Sequence, residues 1–217
     1  MPASAALVSP LHLVIVEPDP NLRMWIKDVL VNHGGHQVLA TASTGTDLVR
    51  VVLGLRPDVL VCGLRLPGLG GLEAVRQVAR EWPTAVVMLT SSLDPDQEEA
   101  RGALGEWVHA HLVKPVAAHQ LEPAVRAAWA FFRRTRQLLD ENASLRQTLN
   151  NRKIIERAKG VLMKRHHWSE PVAYRHLQRA AMNDRTTIVH VAQDILNGGD
   201  LTLRPSRLRP PLQLQHS

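Results

Sequence analysis

Cysteine is nearly absent: Cys62 is the single one among 217 residues. One thiol excludes an intrachain disulfide framework and a cysteine-built zinc site, and it fits a reducing compartment. Inside its apolar run, Cys62 reads as a core side chain. The chain also lacks any apolar run near the roughly 18 residues that a membrane-spanning helix needs, so no membrane partner is expected. The opening segment MPASAALVSPLHLVIVEPDP has no basic flank ahead of its apolar run, which soon meets Glu17 and Asp19. It reads as a first strand rather than a signal peptide, and the protein as cytoplasmic. No set of nucleophile, base and orienting group stands out. No enzymatic activity, cofactor or metal site is expected.

What is present is unevenly charged. The formal net charge is +6. Residues 1–130 hold ten Lys/Arg against thirteen Asp/Glu, whereas residues 151–217 hold twelve against five. An acidic front and a basic back assign any nucleic-acid contact to the C-terminal part.

From residue 11 to about 126, apolar runs alternate with amphipathic segments. LHLVIV, VLAT, DVLVCG, AVVMLT and HLVKP read as strands. NLRMWIKDVLVNH, TDLVRVVLGL, GLEAVRQVARE, PDQEEARGAL and AHQLEPAVRAAWAFF read as helices. This alternation predicts a parallel sheet covered on both faces, with any ligand chemistry at the strands' carboxyl ends. From 128 to 151 glycine and proline disappear. Ala128, Thr135, Asn142 and Leu149 fall seven apart, as do Phe131, Leu138 and Leu145. These are the a and d positions of a short helical seam. An asparagine at a, Asn142, sets register in a parallel two-stranded coil. Residues 152–198 read as three helices, capped by Ser169 and Thr187 and ended by Gly198-Gly199. The proline- and arginine-bearing tail 199–217 has no period and is expected to be disordered.

The order VIVEPDP, PDVLVCGLRLPGLGGLEAV, VVMLTSS, HLVKP resembles the response-regulator receiver domain over residues 10–127. The resemblance implies a flavodoxin-like, doubly wound α/β fold with a five-stranded parallel sheet. It also aligns Glu17 and Pro18 with an acidic pair, Gly63 with the phosphoacceptor aspartate, Thr90 with a Thr/Ser, and Lys114-Pro115 with a Lys-Pro pair. Gly63 has no side chain and Pro18 no oxygen, so the site is degenerate. Asp58, five residues upstream on the third strand, is about 16 Å away at 3.3 Å per residue. Glu17 and Asp19 alone make a poor magnesium site. Lys114 is expected to pair with one of these acids, because an unpaired buried ammonium is costly. A receiver that takes no phosphoryl group is the expectation.

The segment RKIIERAKGVLMKRHHWSEPVAYRHLQRAAMNDRTTIVHVAQDIL resembles the ANTAR domain, the small three-helix RNA-binding domain of transcription antitermination regulators of amidase and nitrate-assimilation operons. Ala158, Leu162, Tyr174, Leu177, Ala181, Val191 and Ile195 lie on its apolar stripes and read as core. Small Ala158, Gly160 and Ala181 would let helices approach closely. Arg157, Lys159, Lys164, Arg165, Arg175, Arg179 and Arg185 are then the candidate RNA-binding cations, although any one of them fits a solvated helix face equally well. His166, His167, Trp168 and Tyr174 add possible stacking groups.

The resemblance implies binding to paired stem-loops in leader mRNA, which prevents a terminator hairpin from forming. It also implies a homodimer through the coil (Phe131, Leu138, Asn142, Leu145, Leu149). With phosphate excluded, control is expected from a ligand-sensing negative-regulator protein docking on the acidic receiver surface or the loop 64–71. The competing expectation is a DNA-binding response regulator.

Overall fold

The computed structural model describes residues 9–92 and 97–199. The expected disordered tail lies, but for Gly199, outside the described residues. By contact the chain divides into two compact units that meet between Leu138 and Leu139.

The first unit is the five-stranded parallel sheet. Its strands are β1 (His12–Val16), β2 (Gln37–Ala42), β3 (Val59–Gly63), β4 (Ala85–Ser91) and β5 (Ala110–Lys114), in spatial order β2-β1-β3-β4-β5. β1 and β3 pair from Leu13↔Val59 to Val16↔Cys62, and β3 and β4 from Val59↔Ala85 to Gly63↔Leu89. All of β3 and nearly all of β1 and β4 are buried, while the edge strands β2 and β5 are only part-buried. That is why the central strands read as unbroken apolar runs.

Alternation along the strands builds two cores. Val14, Val16, Leu60, Cys62 and Met88 face α2 (Gly45–Leu55) and α3 (Gly71–Glu81). Leu13, Ile15, Val61, Val87 and Leu89 face α1 (Pro20–Asp28) and the start of α5 (Ala118–His166). Each large aliphatic side chain so buried contributes about 1.5–3 kcal/mol. α4 (Gln97–Gly102) follows β4.

Three details depart from the sequence reading. The expected single helix 21–33 is α-helical only to Asp28 and π-helical over Val29–His33. The last receiver helix, the seam and the first ANTAR helix are one uninterrupted helix, α5. Ala128, read as a seam residue, is instead fully buried in the receiver core.

The second unit packs the end of α5 against α6 (Glu170–Asn183) and α7 (Ile188–Leu196). Its core is Ala158, Leu162, Ala173, Leu177, Ala181, Val191, Ala192 and Ile195. Thr187 caps α7 by accepting from the His190 amide at 3.2 Å, whereas Ser169 holds the N-cap position of α6 without a side-chain bond. α6 closes with a Schellman motif. Thr186 N donates to Ala181 O (3.0 Å) and Arg185 N to Met182 O (3.3 Å), with Arg185 left-handed at φ 51°. Tyr174 and Gly160 depart from their expected roles. Tyr174 is 39% exposed, not core. A Cβ on Gly160 would meet nothing within 4 Å, so Gly160 is not a close helix contact.

Candidate functional site

The receiver-type site gathers at the strands' carboxyl ends, beside the β1/β3 switch point where such sheets place their chemistry. Glu17 follows β1 and is buried. Lys114, the last residue of β5, donates to both its oxygens, at 2.8 and 2.9 Å. Gly63 adjoins them: a Cβ there would lie 2.9 Å from Glu17 Oε2. The Glu17 carboxylate therefore occupies the space into which a residue-63 side chain would project. Asp19 and Thr90 are committed elsewhere. The Asp19 carboxylate caps α1, accepting from Asn21 N (2.8 Å) and Leu22 N (3.3 Å). Thr90 Oγ1 is hydrogen-bonded to His111 Nε2 at 2.6 Å. Burial, and then the charge of Arg101, holds His111 below its ordinary pKa. Asp58 serves the opposite strand end, accepting from His12 N at 2.8 Å.

These donors do not fit a magnesium ion. Both oxygens of Glu17 already face an ammonium, and Gly63 and Pro18 offer no side-chain oxygen. Among the described residues no three His, Cys, Asp or Glu converge as a metal site. Cys62 is fully buried, and burial followed by the nearby Glu17 charge pushes its thiol far up, so it stays protonated. The following loop is held by shape. Leu64 and Leu66 tuck inward, and a Cβ on Gly71 would collide with Gly63 O at 2.0 Å. Only a glycine admits that approach.

In the second unit, Arg157, Lys164, Arg175, Arg179 and Arg185 are exposed as expected. Arg165 is exposed and donates to Gly199 O at 2.8 Å. Lys159 is a correction. It is buried, with its ammonium paired to Glu156 (2.8 Å) and Glu170 (2.6 Å). Hydrogen bonds from Glu156 and Glu170 raise its pKa, and the same contact lowers that of Glu170. The pair joins α5 to α6, which the one-dimensional pattern of cations does not convey.

Arg175, His176 and Arg179, with Val172, line a small cavity of about 190 Å³. Trp168 is stacked between His166 (4.4 Å between centroids) and His176 (4.1 Å). Both of its faces are thus taken, and Trp168 is not the open stacking platform expected. His176 went unrecognised, because nothing in the linear order links it to Trp168. A second cavity, about 710 Å³, opens beside Tyr174, with Thr148, Asn151 and Arg152 on its α5 wall. Along α5, Phe131, Leu138, Leu145 and Leu149 are 48–65% exposed and Asn142 is exposed. Phe131 also meets the His109 ring edge-on.

A parallel sheet with a sealed carboxyl-end site, followed by a basic three-helix unit, defines a receiver joined to a helical output module. The receiver family matches residues 13–126, and the ANTAR domain family matches residues 143–196. The chain belongs to the ANTAR-domain response regulators. It is 33% identical over 187 residues to the Transcriptional regulatory protein PdtaR of Mycobacterium tuberculosis (strain CDC 1551 / Oshkosh), covering 86% of this chain and 90% of that one. Among solved structures it is similar to the REC domain of the response regulator AraT from Geobacillus stearothermophilus (21% identity, TM-score 0.52, 59% of this chain and 99% of that one). It is also similar to the receiver domain of the response regulator NarL from Mycobacterium tuberculosis (22%, 0.51, 56% and 98%). These two likenesses concern the fold alone. The protein is thus a transcriptional regulator by family. No described helix is long and apolar enough to cross a membrane.

Proposed function

We propose that the chain is an RNA-binding antitermination regulator whose receiver is not phosphorylated. The ANTAR unit, residues 152–198, binds paired stem-loops in leader mRNA in the cytoplasm and keeps a terminator hairpin from forming. The observation that carries this reading is the outward display of Arg157, Lys164, Arg175, Arg179 and Arg185 on a unit whose apolar side chains are spent on its own core. Such cations neutralise phosphates, and binding then weakens steeply with salt. Arg175 and Arg179 flank a cavity small enough for one phosphate. The exposed seam of α5 joins two copies, presenting two ANTAR units to two hairpins. The second contact then gains from effective concentration.

Control comes from a docked partner protein rather than from phosphate. Gly63 offers no acceptor, and Lys114 is already neutralised by Glu17. The acidic receiver and the exposed Arg65, Pro67, Gly68 and Gly70 of the loop 64–71 are the surfaces for it.

Fluorescence anisotropy with the full chain tests the RNA reading. Paired stem-loop RNA is compared with duplex DNA of equal length across a salt series. Preference for RNA with a steep salt slope is expected. Preference for DNA would make the protein a DNA-binding response regulator instead.

A further inference from the structure

The cavity beside Tyr174 has a different character from the basic surface around it. We propose that it receives a single unpaired RNA base carrying an exocyclic amino group. This rests on the RNA-binding reading above and assigns a second kind of contact to it.

Its volume, about 710 Å³, falls within the range of small-molecule sites and can admit a nucleoside. Its charges cancel: Arg152 and Lys159 are matched by Glu156 and Glu170. A phosphate finds no net attraction there, whereas a neutral heterocycle does. Tyr174 supplies the stacking surface. Its ring is 39% exposed on a helix whose neighbouring Ala173 and Leu177 are fully buried. The Lys159 ammonium lies 5.8 Å from the ring centroid, inside cation–π range, and is clamped by the two carboxylates. The aromatic wall is therefore positioned before any ligand arrives.

The polar groups fit a base edge. Glu170 contacts Lys159 through Oε1, at 2.6 Å, and its other oxygen can accept from an amino group. The Asn151 carboxamide oxygen accepts from Gln147 Nε2 at 2.8 Å, so its NH₂ is left to donate to a ring nitrogen or carbonyl. Adenine, guanine and cytosine carry the amino group; uracil does not. Unpaired loop bases held on aromatic side chains and read at their edges are a common mode of RNA recognition.

The test starts from a pool of paired stem-loop RNAs with randomised loops, from which the tightest binder of the full chain is carried forward. Each loop nucleotide is then made abasic in turn. One position should weaken wild-type binding by about 5- to 150-fold, the worth of one base–aromatic stack. Tyr174→Ala should lose a similar factor on the intact RNA and become indifferent to that position, with its salt slope unchanged. Tyr174→Phe should retain most of the affinity. Equal binding by wild type and Tyr174→Ala, or undiminished abasic sensitivity in the variant, would overturn the proposal while leaving RNA binding intact. Loss of the dimer in sedimentation of Tyr174→Ala would make the cavity a contact with a second copy, and would overturn it too. A pool that yields no binder sinks the RNA reading itself.

Discussion

Lys114 Nζ lies 2.8 and 2.9 Å from the two carboxylate oxygens of Glu17, across a gap of 97 residues in sequence. Glu17 is almost wholly buried and Lys114 about a quarter exposed. Removing one member of such a buried pair costs about 3–5 kcal/mol, with partial exposure favouring the low end.

The pair makes a directional prediction at residue 63. Gly63→Ala should lower the melting temperature by several degrees, because the new methyl must displace Glu17 Oε2. Gly63→Asp should lower it further, setting two carboxylates against one ammonium. Gly63→Asp combined with Glu17→Ala should recover much of the loss, since one acid again faces Lys114. Thermal melts of the four proteins check this. Treated with acetyl phosphate, the wild type should gain no acid-labile phosphate by intact-mass measurement. Stoichiometric labelling would contradict the site as described.

Stability should fall as the solution is acidified from about pH 6.5 towards 4. Burial pushes the pKa of His109 down to about 4, and its Nδ1 accepts from Val86 N at 3.1 Å. Between those values the unfolded chain binds a proton that the folded chain refuses. Unfolding therefore takes up protons, and stability rises with pH across that window. His36, depressed chiefly by burial, and His111 act in the same direction. His109→Gln should flatten the slope of melting temperature between pH 4 and 6.5 relative to wild type. An unchanged slope would assign the effect elsewhere.

Arg185 separates stability from binding. It sits left-handed at the position of a Schellman motif where glycine is usual, at a cost of about 1 kcal/mol. Arg56 is also left-handed, but its guanidinium lies over Trp82 at 4.8 Å. Arg185→Gly should keep or slightly raise the melting temperature while weakening RNA binding and reducing the salt slope by about one. Undiminished binding would remove Arg185 from the interface.

For the α5 seam, Leu145→Glu should leave secondary structure and melting of the separate units unaltered, because Leu145 is 65% exposed. Analytical ultracentrifugation should show a shift from dimer to monomer. Asn142→Leu should strengthen association while relaxing its register. A wild type that sediments as a monomer at micromolar concentration would refute the seam.

Much of the architecture was legible because the relevant signals are local and periodic. Strands buried on both faces must be continuous apolar runs, and the helices of the ANTAR unit repeat their small and aliphatic residues at 3.6. Gly63 was legible as well, since a missing side chain removes chemistry in any fold. The cation pattern was less so. Arg157 and Lys159 look alike in sequence, yet one is exposed and the other is buried between Glu156 and Glu170. Helical spacing locates a residue around the axis but does not say which neighbouring helix covers it.

By itself, then, the sequence determined the order of elements, the two family resemblances and the loss of the acceptor carboxylate, all of which depend on residue identity and short-range period. Tertiary structure alone decided that Glu17 fills the space beside Gly63, that Thr90 is turned to His111, that Trp168 is closed on both faces, and that Tyr174 is open to a charge-balanced cavity. Each joins residues brought together from separate elements, and such contacts come into being only when sheet and helices pack.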